Sequence, residues 1–297
     1  MNTKNPQIID LHTDFILGEA DLGKKIFNIN TSKQISKNLA TKGNYQLLSA
    51  GFSYDDEQGC TETMLSEMES FVRKNKTRFE IVFHLEGAGI LAKDSDLLRK
   101  FYTRGVRSIG LAHTHSNALC GSSSDVANKG LAALGTKVLK EALKLGMVID
   151  LAHMSDRALM QTLKVIDKPP ILSHTACFSI EPNPRNTKDR IIREIAKRKG
   201  VIGVFFSNKY INSRMRPSVV DVANHIDHVV KIGGIDTVAI GSDFGGITTG
   251  TPKGLESAAK FSNLFNELSK RGYSKKNIEK IAYKNATRVL SFWGIRV

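Results

Sequence analysis

The chain has 297 residues, of which 41% are hydrophobic and 24% are charged, and its formal net charge is +14. This length suits one (β/α)8 barrel of roughly 250 residues or two ordinary domains, and the composition is typical of a globular protein with a sizeable core. The positive charge raises the question of a nucleic-acid or membrane-surface partner. Because the basic residues are scattered over predicted helices and form no dense tract, we expect neither partner.

The cysteines and the N-terminal segment bear on the cellular compartment. Cys60, Cys120 and Cys177 share no CxxC spacing and are odd in number, which predicts a reducing compartment without structural disulfides. Residues 1–7 are polar, and no apolar run approaches the roughly 20 residues that span a bilayer. We therefore expect a cytoplasmic protein without a signal peptide.

Short apolar runs alternate with helical segments along the whole chain. Strands are predicted at about residues 7–15, 46–54, 79–86, 106–113, 148–153, 170–174, 201–207 and 237–243. Helices are predicted at about residues 61–74, 95–103, 136–145, 156–166, 187–198, 218–232, 255–271 and 275–292. This α/β alternation predicts a (β/α)8 TIM-type barrel. No repeat, low-complexity segment or obvious linker interrupts it, so we predict a single domain over residues 1–297.

Six of the predicted strands end on side chains that can bind a metal or transfer a proton. These residues are His12 with Asp14, Glu86, His113, His153, His174 and Asp243. The active sites of such barrels lie at the C-terminal ends of the strands, so we expect these side chains to meet at one mouth of the barrel. One histidine at a strand end has an ordinary structural explanation, but the joint occurrence predicts a metal site.

The spacing of these residues predicts two metal positions. His12 and Asp14 lie two residues apart, so a strand turns both to the same side, where they can bind one divalent ion. His153 and His174 end adjacent strands and converge on a second point. Glu86 is the carboxylate placed between the two pairs, where it could bridge ions roughly 3.5 Å apart and create a shared hydroxide nucleophile. Imidazole and carboxylate ligands suit zinc or a similar ion.

Other features receive separate hypotheses. Asp243, next to strand one in a closed barrel, is placed to take a proton from the hydroxide and return it to a leaving amine. His115 follows His113 at the same-face spacing, but we expect it to form loop hydrogen bonds. His225 and His228 lie in a predicted helix, far from strand ends, and we expect structural roles for both. Cys177 is expected to be a buried free thiol.

These residues lie in stretches that resemble the membrane (renal) dipeptidase family of binuclear zinc peptidases, which includes soluble bacterial members. The matching stretches follow the family's order and comprise residues 10–14, 85–87, 105–113, 149–155, 173–176, 184–186, 225–228 and 240–244. The resemblance implies two divalent metal ions, expected to be zinc, with His12 and Asp14 on one ion and His153 and His174 on the other. It implies that Glu86 bridges them.

The resemblance also implies roles around the substrate. His113 would polarise the scissile carbonyl or stabilise its oxyanion, and Arg185 would pair with the terminal carboxylate of the substrate. Asp243 matches the catalytic acid/base of the family. One departure is Gly245, which stands where the family usually has an aspartate in Asp-Phe-Asp-Gly.

Together with these residues, the resemblance implies a metal-dependent dipeptidase that hydrolyses short dipeptides, including those with a D-residue at the C-terminal position. Its expected partner is a dipeptide substrate, and we expect a monomer or homodimer. One alternative is a binuclear metal amidohydrolase that acts on a cyclic amide or a nucleobase. Another, of a different class, is a catalytically silent metal-binding barrel.

Overall fold

The computed structural model describes residues 6–14, 33–53, 70, 73–74, 76–214 and 216–297. Cys60 and most of the helix predicted at about residues 61–74 lie outside the described residues. Eight parallel strands close into a barrel in sequence order, which confirms the predicted (β/α)8 fold. The strands are β1 (Ile8–Thr13), β2 (Tyr45–Ser53), β3 (Glu80–Glu86), β4 (Val106–Gly110), β5 (Val148–Asp150), β6 (Ile171–Thr175), β7 (Val201–Val204) and β8 (Val238–Ile240).

Helices surround the barrel, and two of them, α1 and α6, were not predicted. In the described residues they are α1 (Lys37–Lys42), α2 (Leu97–Thr103), α3 (Ala133–Lys144), α4 (Asp156–Thr162), α5 (Asp189–Lys197), α6 (Asn208–Ile211), α7 (Val219–Gly233), α8 (Phe261–Lys270), α9 (Lys275–Glu279) and α10 (Asn285–Phe292). A π-helical turn, Lys280–Lys284, joins α9 to α10. Across the described chain, no helix combines the length and apolar character needed to cross a bilayer.

Local sequence explains why α7 forms and how it packs. Ser218 caps its first turn, and Asp221 completes a capping box by accepting from the Ser218 backbone N–H. Val222, Ile226 and Val229 recur at helical spacing and are buried, so one face of α7 packs on the barrel. The strands are instead buried on both faces, as all five residues of β6 illustrate.

Four strands end earlier than predicted. β4, β5, β7 and β8 end at Gly110, Asp150, Val204 and Ile240, about three residues short of the predicted ends. After β4, β5 and β7 the apolar sequence continues for two residues, but the backbone leaves the sheet. After β8 the chain passes through Gly241 and Ser242 to Asp243. His153 and Asp243 both adopt a φ of +63°, which a β-ladder does not accommodate. These two side chains therefore stand on turns that follow the strands.

Candidate metal centre

A cavity of about 320 Å³ opens at the C-terminal mouth of the barrel. Its lining includes seven of the predicted site residues, namely Asp14, Glu86, His113, His153, His174, Arg185 and Asp243. The eighth, His12, is fully buried beneath it, with Nε2 3.8 Å from Asp243 Oδ1. The structure thus brings all eight predicted residues together from strands and loops around the barrel.

The Glu86 carboxylate lies at the centre of the histidines. Its Oε1 atom is 3.0 Å from His153 Nε2 and 3.4 Å from His174 Nε2. Its Oε2 atom faces the other way, 3.5 Å from His12 Nε2 and 3.7 Å from His113 Nε2. Each carboxylate oxygen therefore faces a different set of imidazoles, and Glu86 lies between the two predicted metal pairs.

The two predicted pairs are each compact. His153 Nε2 and His174 Nε2 lie 3.0 Å apart, and His12 Nε2 lies 4.0 Å from Asp14 Oδ1. The rings of His12 and His174 stack with centroids 3.9 Å apart, so the two pairs are in direct contact. Such close approach of several imidazole nitrogens and carboxylate oxygens is the geometry of a cation site.

Burial keeps the histidines in the form that binds a metal. It lowers the pKa of His12 to about 4 and that of His153 to about 3, although Glu86 opposes both shifts. Burial, reinforced by His12, also lowers the pKa of His174 well below its ordinary value. At neutral pH these imidazoles are uncharged, and a neutral imidazole has the nitrogen lone pair that a metal ligand needs.

The carboxyl groups differ in electrostatic environment. Burial acts to raise the pKa of Glu86, but the imidazoles of His12 and His153 hold it well below its ordinary value. Burial, followed by the charge of Glu86, raises the pKa of Asp14 well above its ordinary value. The same two causes raise the pKa of Asp243 to about 7, with Arg185 acting against them. Three carboxylates packed this closely favour a compensating cation.

Arg185 is only 6% exposed, and its guanidinium is held in place from two sides. Its Nη2 group donates to the His174 carbonyl oxygen at 2.9 Å, and its Cζ lies 5.5 Å from the centre of the Phe205 ring. Phe205 in turn stacks on Tyr210 of α6, and both rings line the cavity. The charged group is therefore presented to the cavity in a fixed orientation.

Sequence reasoning missed two buried aspartates beneath the site, Asp10 on β1 and Asp150 on β5. Asp10 accepts from the N–H and O–H of Ser242, and Asp150 accepts from the N–H and O–H of Ser173. The available signal was a charged residue inside each apolar run, two or three positions before a histidine. Sequence reasoning also missed Phe205 and Tyr210, because no charged residue or motif marks these two aromatic side chains as part of a site.

Gly245 adopts a backbone conformation that favours glycine. Its φ is +102°, and a Cβ at this position would lie 2.5 Å from the Asp14 carbonyl oxygen. The aspartate expected from the resemblance therefore does not fit this backbone.

The other singled-out residues lie outside the cluster around Glu86. The ring of His225 accepts from Cys177 N–H and donates to the Ile211 carbonyl, and Cys177 itself is buried. His228 pairs with Asp189 at 2.8 Å. The His115 side chain is 80% exposed, and its Nδ1 lies 3.9 Å from Asp125 Oδ1, which is too far for the loop hydrogen bond predicted for it.

Comparisons with known proteins agree with this architecture. The sequence profile described as membrane dipeptidase (peptidase family M19) matches residues 8–292. Dipeptidase tcpJ of Claviceps purpurea is 34% identical over 210 residues, which cover 69% of this chain and 49% of that protein. The chain spans about half the length of the first curated relatives it matches.

Two solved structures share the fold at low sequence identity. An amidohydrolase from Pseudomonas aeruginosa superposes with a TM-score of 0.82 at 18% identity, covering 98% of this chain and 97% of that one. A metallopeptidase from Rhodobacter sphaeroides, liganded with a phosphinate mimic of the dipeptide L-Ala-D-Ala, superposes with a TM-score of 0.80 at 19% identity, covering 96% and 99%. With a family profile that spans nearly its whole length, the chain belongs to the membrane dipeptidase family of metallopeptidases.

Proposed function

We propose that this protein is a binuclear metal dipeptidase, with zinc as the expected ion, that hydrolyses short dipeptides with free termini. The observation that carries the proposal is the position of Glu86, whose two oxygens face the His153–His174 pair and His12 respectively. Family membership supports the peptidase assignment. No comparison favours the cyclic-amide enzyme or the silent metal-binding barrel over it.

The buried donor atoms fit metal ions. Among the described residues, His12 Nε2 is buried without a hydrogen-bond partner and lies 3.5 Å from Glu86 Oε2 and 4.0 Å from Asp14 Oδ1. Buried polar atoms are rarely left unpaired, and a cation bound by this nitrogen would satisfy it. His12 and Asp14 would hold one ion, His153 and His174 the other, and Glu86 both.

When bound, the two ions would activate water at neutral pH and polarise the peptide carbonyl. Asp243 faces the cavity next to His12 and would accept the proton of the attacking water and deliver it to the leaving amine. His113 lines the same cavity and would donate to the developing oxyanion. Arg185 would bind the substrate carboxylate through its guanidinium.

The cavity supports a small substrate. Its volume of about 320 Å³ lies at the lower end of the range for ligand pockets and suits a dipeptide better than a longer peptide. The Rhodobacter sphaeroides metallopeptidase with the same fold binds a mimic of L-Ala-D-Ala. This likeness supports extending the substrate class to dipeptides with a D-residue at the C-terminal position.

We further propose that the whole chain is one barrel domain. Asp10 on β1 pairs with Ile240 on β8, so the first strand closes the barrel against the last. Near the other end of the sequence, the Asn285 side chain on α10 donates to the Val238 carbonyl on β8. Early and late segments thus pack on the same strand.

The test is hydrolysis of L,L and L,D dipeptides by the purified protein, with metal content determined on the same sample. Two equivalents of metal with dipeptide turnover would support the proposal and define the stereochemical preference. Two equivalents without dipeptide turnover would overturn the substrate assignment and redirect the assay to cyclic amides. A protein that binds no divalent metal would overturn the mechanism.

A further inference from the structure

Two buried aspartates beneath the candidate metal centre share three matching hydrogen bonds on opposite sides of the barrel. They differ in one further contact each, since Asp10 also accepts from the Tyr45 O–H at 2.8 Å and Asp150 Oδ2 lies 3.4 Å from His84 Nε2. Asp10 accepts from the backbone N–H two residues later, that of His12, at 3.4 Å, and from Ser242 N–H at 2.8 Å and O–H at 2.6 Å. Asp150 accepts from the backbone N–H of Ala152 at 3.0 Å, from Ser173 N–H at 3.0 Å, and from Ser173 O–H. We call each arrangement an aspartate–serine clamp.

The two clamps differ in what the serine contacts next. Ser242 Oγ accepts from the backbone N–H of Phe244 at 3.2 Å. Ser173 Oγ instead lies 2.8 Å from Nδ1 of the His174 imidazole. Among the described residues, therefore, only the clamp formed by Asp150 and Ser173 contacts a side chain that faces Glu86.

The single proton of the Ser173 hydroxyl determines the tautomer of His174. Because Ser173 donates that proton to Asp150, its oxygen can only accept from His174. The ring proton must then lie on Nδ1, and the lone pair on Nε2 points at Glu86 Oε1, 3.4 Å away. The Ala152 N–H, the Ser173 N–H and the Ser173 O–H all donate to the Asp150 oxygens, so the carboxylate is the acceptor in each of these three hydrogen bonds.

We propose that Asp150 is a positioning residue that fixes the metal-binding tautomer of His174 through Ser173. The inference rests on the proposed function, in which His174 is a metal ligand. Hydrogen bonds to the second ring nitrogen commonly orient metal-binding histidines, and their loss typically lowers metal affinity about 10- to 100-fold. We call the series of hydrogen bonds from Asp150 through Ser173 to His174 the relay. It is buried, since each of the three residues is no more than 2% exposed.

The relay predicts an unusual order of variants. In Asp150→Asn, the amide nitrogen replaces the Oδ2 acceptor and donates to Ser173 Oγ. The Ser173 proton is then directed to His174 Nδ1, which moves the ring proton to Nε2 and opposes metal binding. In Asp150→Ala, Ser173 is free to accept from His174, so the correct tautomer stays accessible. Asparagine should therefore impair metal binding more than alanine does.

A purely structural role for Asp150 predicts the opposite order. Asparagine keeps the side-chain volume and one carbonyl acceptor for the Ala152 and Ser173 N–H groups. Alanine leaves a cavity and leaves both N–H groups unpaired, so its metal-free form should be the less stable of the two. Comparing the order of affinities with the order of stabilities separates the two explanations.

The experiment measures Zn²⁺ affinity by competition with a chromophoric chelator, together with the thermal midpoint of each metal-free protein. Asp150→Asn is expected to weaken at least one of the two Zn²⁺ sites about 10- to 100-fold, and Asp150→Ala by less. The visible absorption of the Co²⁺-loaded proteins should show the loss of an imidazole ligand in the asparagine variant. If Asp150→Ala does not fold, Ser173→Ala replaces it in the comparison. This variant likewise has no hydroxyl proton directed at His174 Nδ1.

Asp10→Asn is the matched control, because it removes one buried carboxylate from the equivalent clamp without touching an imidazole nitrogen. It should lower Zn²⁺ affinity less than Asp150→Asn. An equal loss in the two asparagine variants, or affinities that follow the order of stabilities, would overturn the inference while leaving the proposed function intact. A wild-type protein that binds no Zn²⁺ would overturn the proposed function, and this inference with it.

Discussion

The backbone of Asp243 sets its side chain apart from the strand that leads to it. A φ of +63° is uncommon for a residue other than glycine and persists where the surrounding structure enforces it. Its amide N–H donates to the His12 carbonyl at 3.0 Å, which ties the turn to β1. The carboxylate is thereby aimed across the cavity beside His12, and this position suits a group that moves a proton.

Asp243→Asn tests that role. The amide has nearly the same shape but does not accept a proton, so we expect kcat to fall about 10²- to 10⁴-fold. Metal content should stay near that of the wild type, since the predicted ligand set is retained. Steady-state kinetics and metal analysis on the same preparation check both expectations. A variant that keeps its turnover would exclude Asp243 as the proton carrier.

Arg185 is expected to recognise the free carboxylate of the substrate. A charge-assisted pair of this kind contributes about 1.5–3 kcal/mol, so Arg185→Ala should raise KM for free dipeptides roughly 10- to 100-fold. Arg185 also contacts His174, and a general disturbance of the site would lower activity on every substrate. The decisive measurement is therefore the ratio of kcat/KM for free and C-terminally amidated dipeptides. Wild type should strongly prefer the free form, and the variant should lose most of that preference.

At the scale of elements, the turn after β8 depends on Gly245. A Cβ at this position would lie 2.5 Å from the Asp14 carbonyl oxygen, in a backbone conformation that L-residues rarely adopt. We expect Gly245→Ala to lower the free energy of unfolding by about 1–3 kcal/mol and to reduce activity, because relief of the clash displaces Asp14. Chemical denaturation and dipeptide hydrolysis provide the two measurements.

Gly272 is a matched control for that substitution. It has a φ of +87°, but a Cβ there would meet nothing within 4 Å. Gly272→Ala should therefore cost some stability and leave hydrolysis unchanged. Gly245→Asp, which introduces the residue usual in the family, should behave like Gly245→Ala. A gain of activity in Gly245→Asp would show that the turn accommodates a side chain.

The sequence predicts the order of elements better than their ends. Each apolar run of the barrel could be read as a strand because glycine or polar residues bound it, and a predicted helix follows every run except the first. The ends at His113, His153 and Ser207 were misplaced, since apolar residues continue where the backbone already leaves the sheet. The end at Asp243 was also misplaced, although Gly241 and Ser242 precede it. The short helix α6 was missed because four residues carry too little helical periodicity. The clamp partners Ser173 and Ser242 could not be assigned, since only the closed barrel brings them to their aspartates.

At the scale of the whole molecule, the candidate ligands come from segments far apart in sequence. His12 and Asp14 belong to the first strand region, Glu86 to β3, and His174 to β6. Ions bound to all of them would cross-link the barrel mouth and offset the repulsion among buried carboxylates. Metal binding and folding are therefore expected to be linked.

Removal of metal should consequently lower the thermal stability. An ion present at 1,000 times its Kd stabilises the folded state by about 4 kcal/mol, so chelation should reduce Tm by roughly 5 °C or more. Scanning calorimetry of the metal-loaded and chelator-treated protein measures this shift. Glu86→Gln is the control, because it weakens contact with both ions and should show a smaller shift on chelation. An unchanged Tm after complete removal of metal would contradict this expectation, because an ion that binds the folded and not the unfolded chain must stabilise the fold.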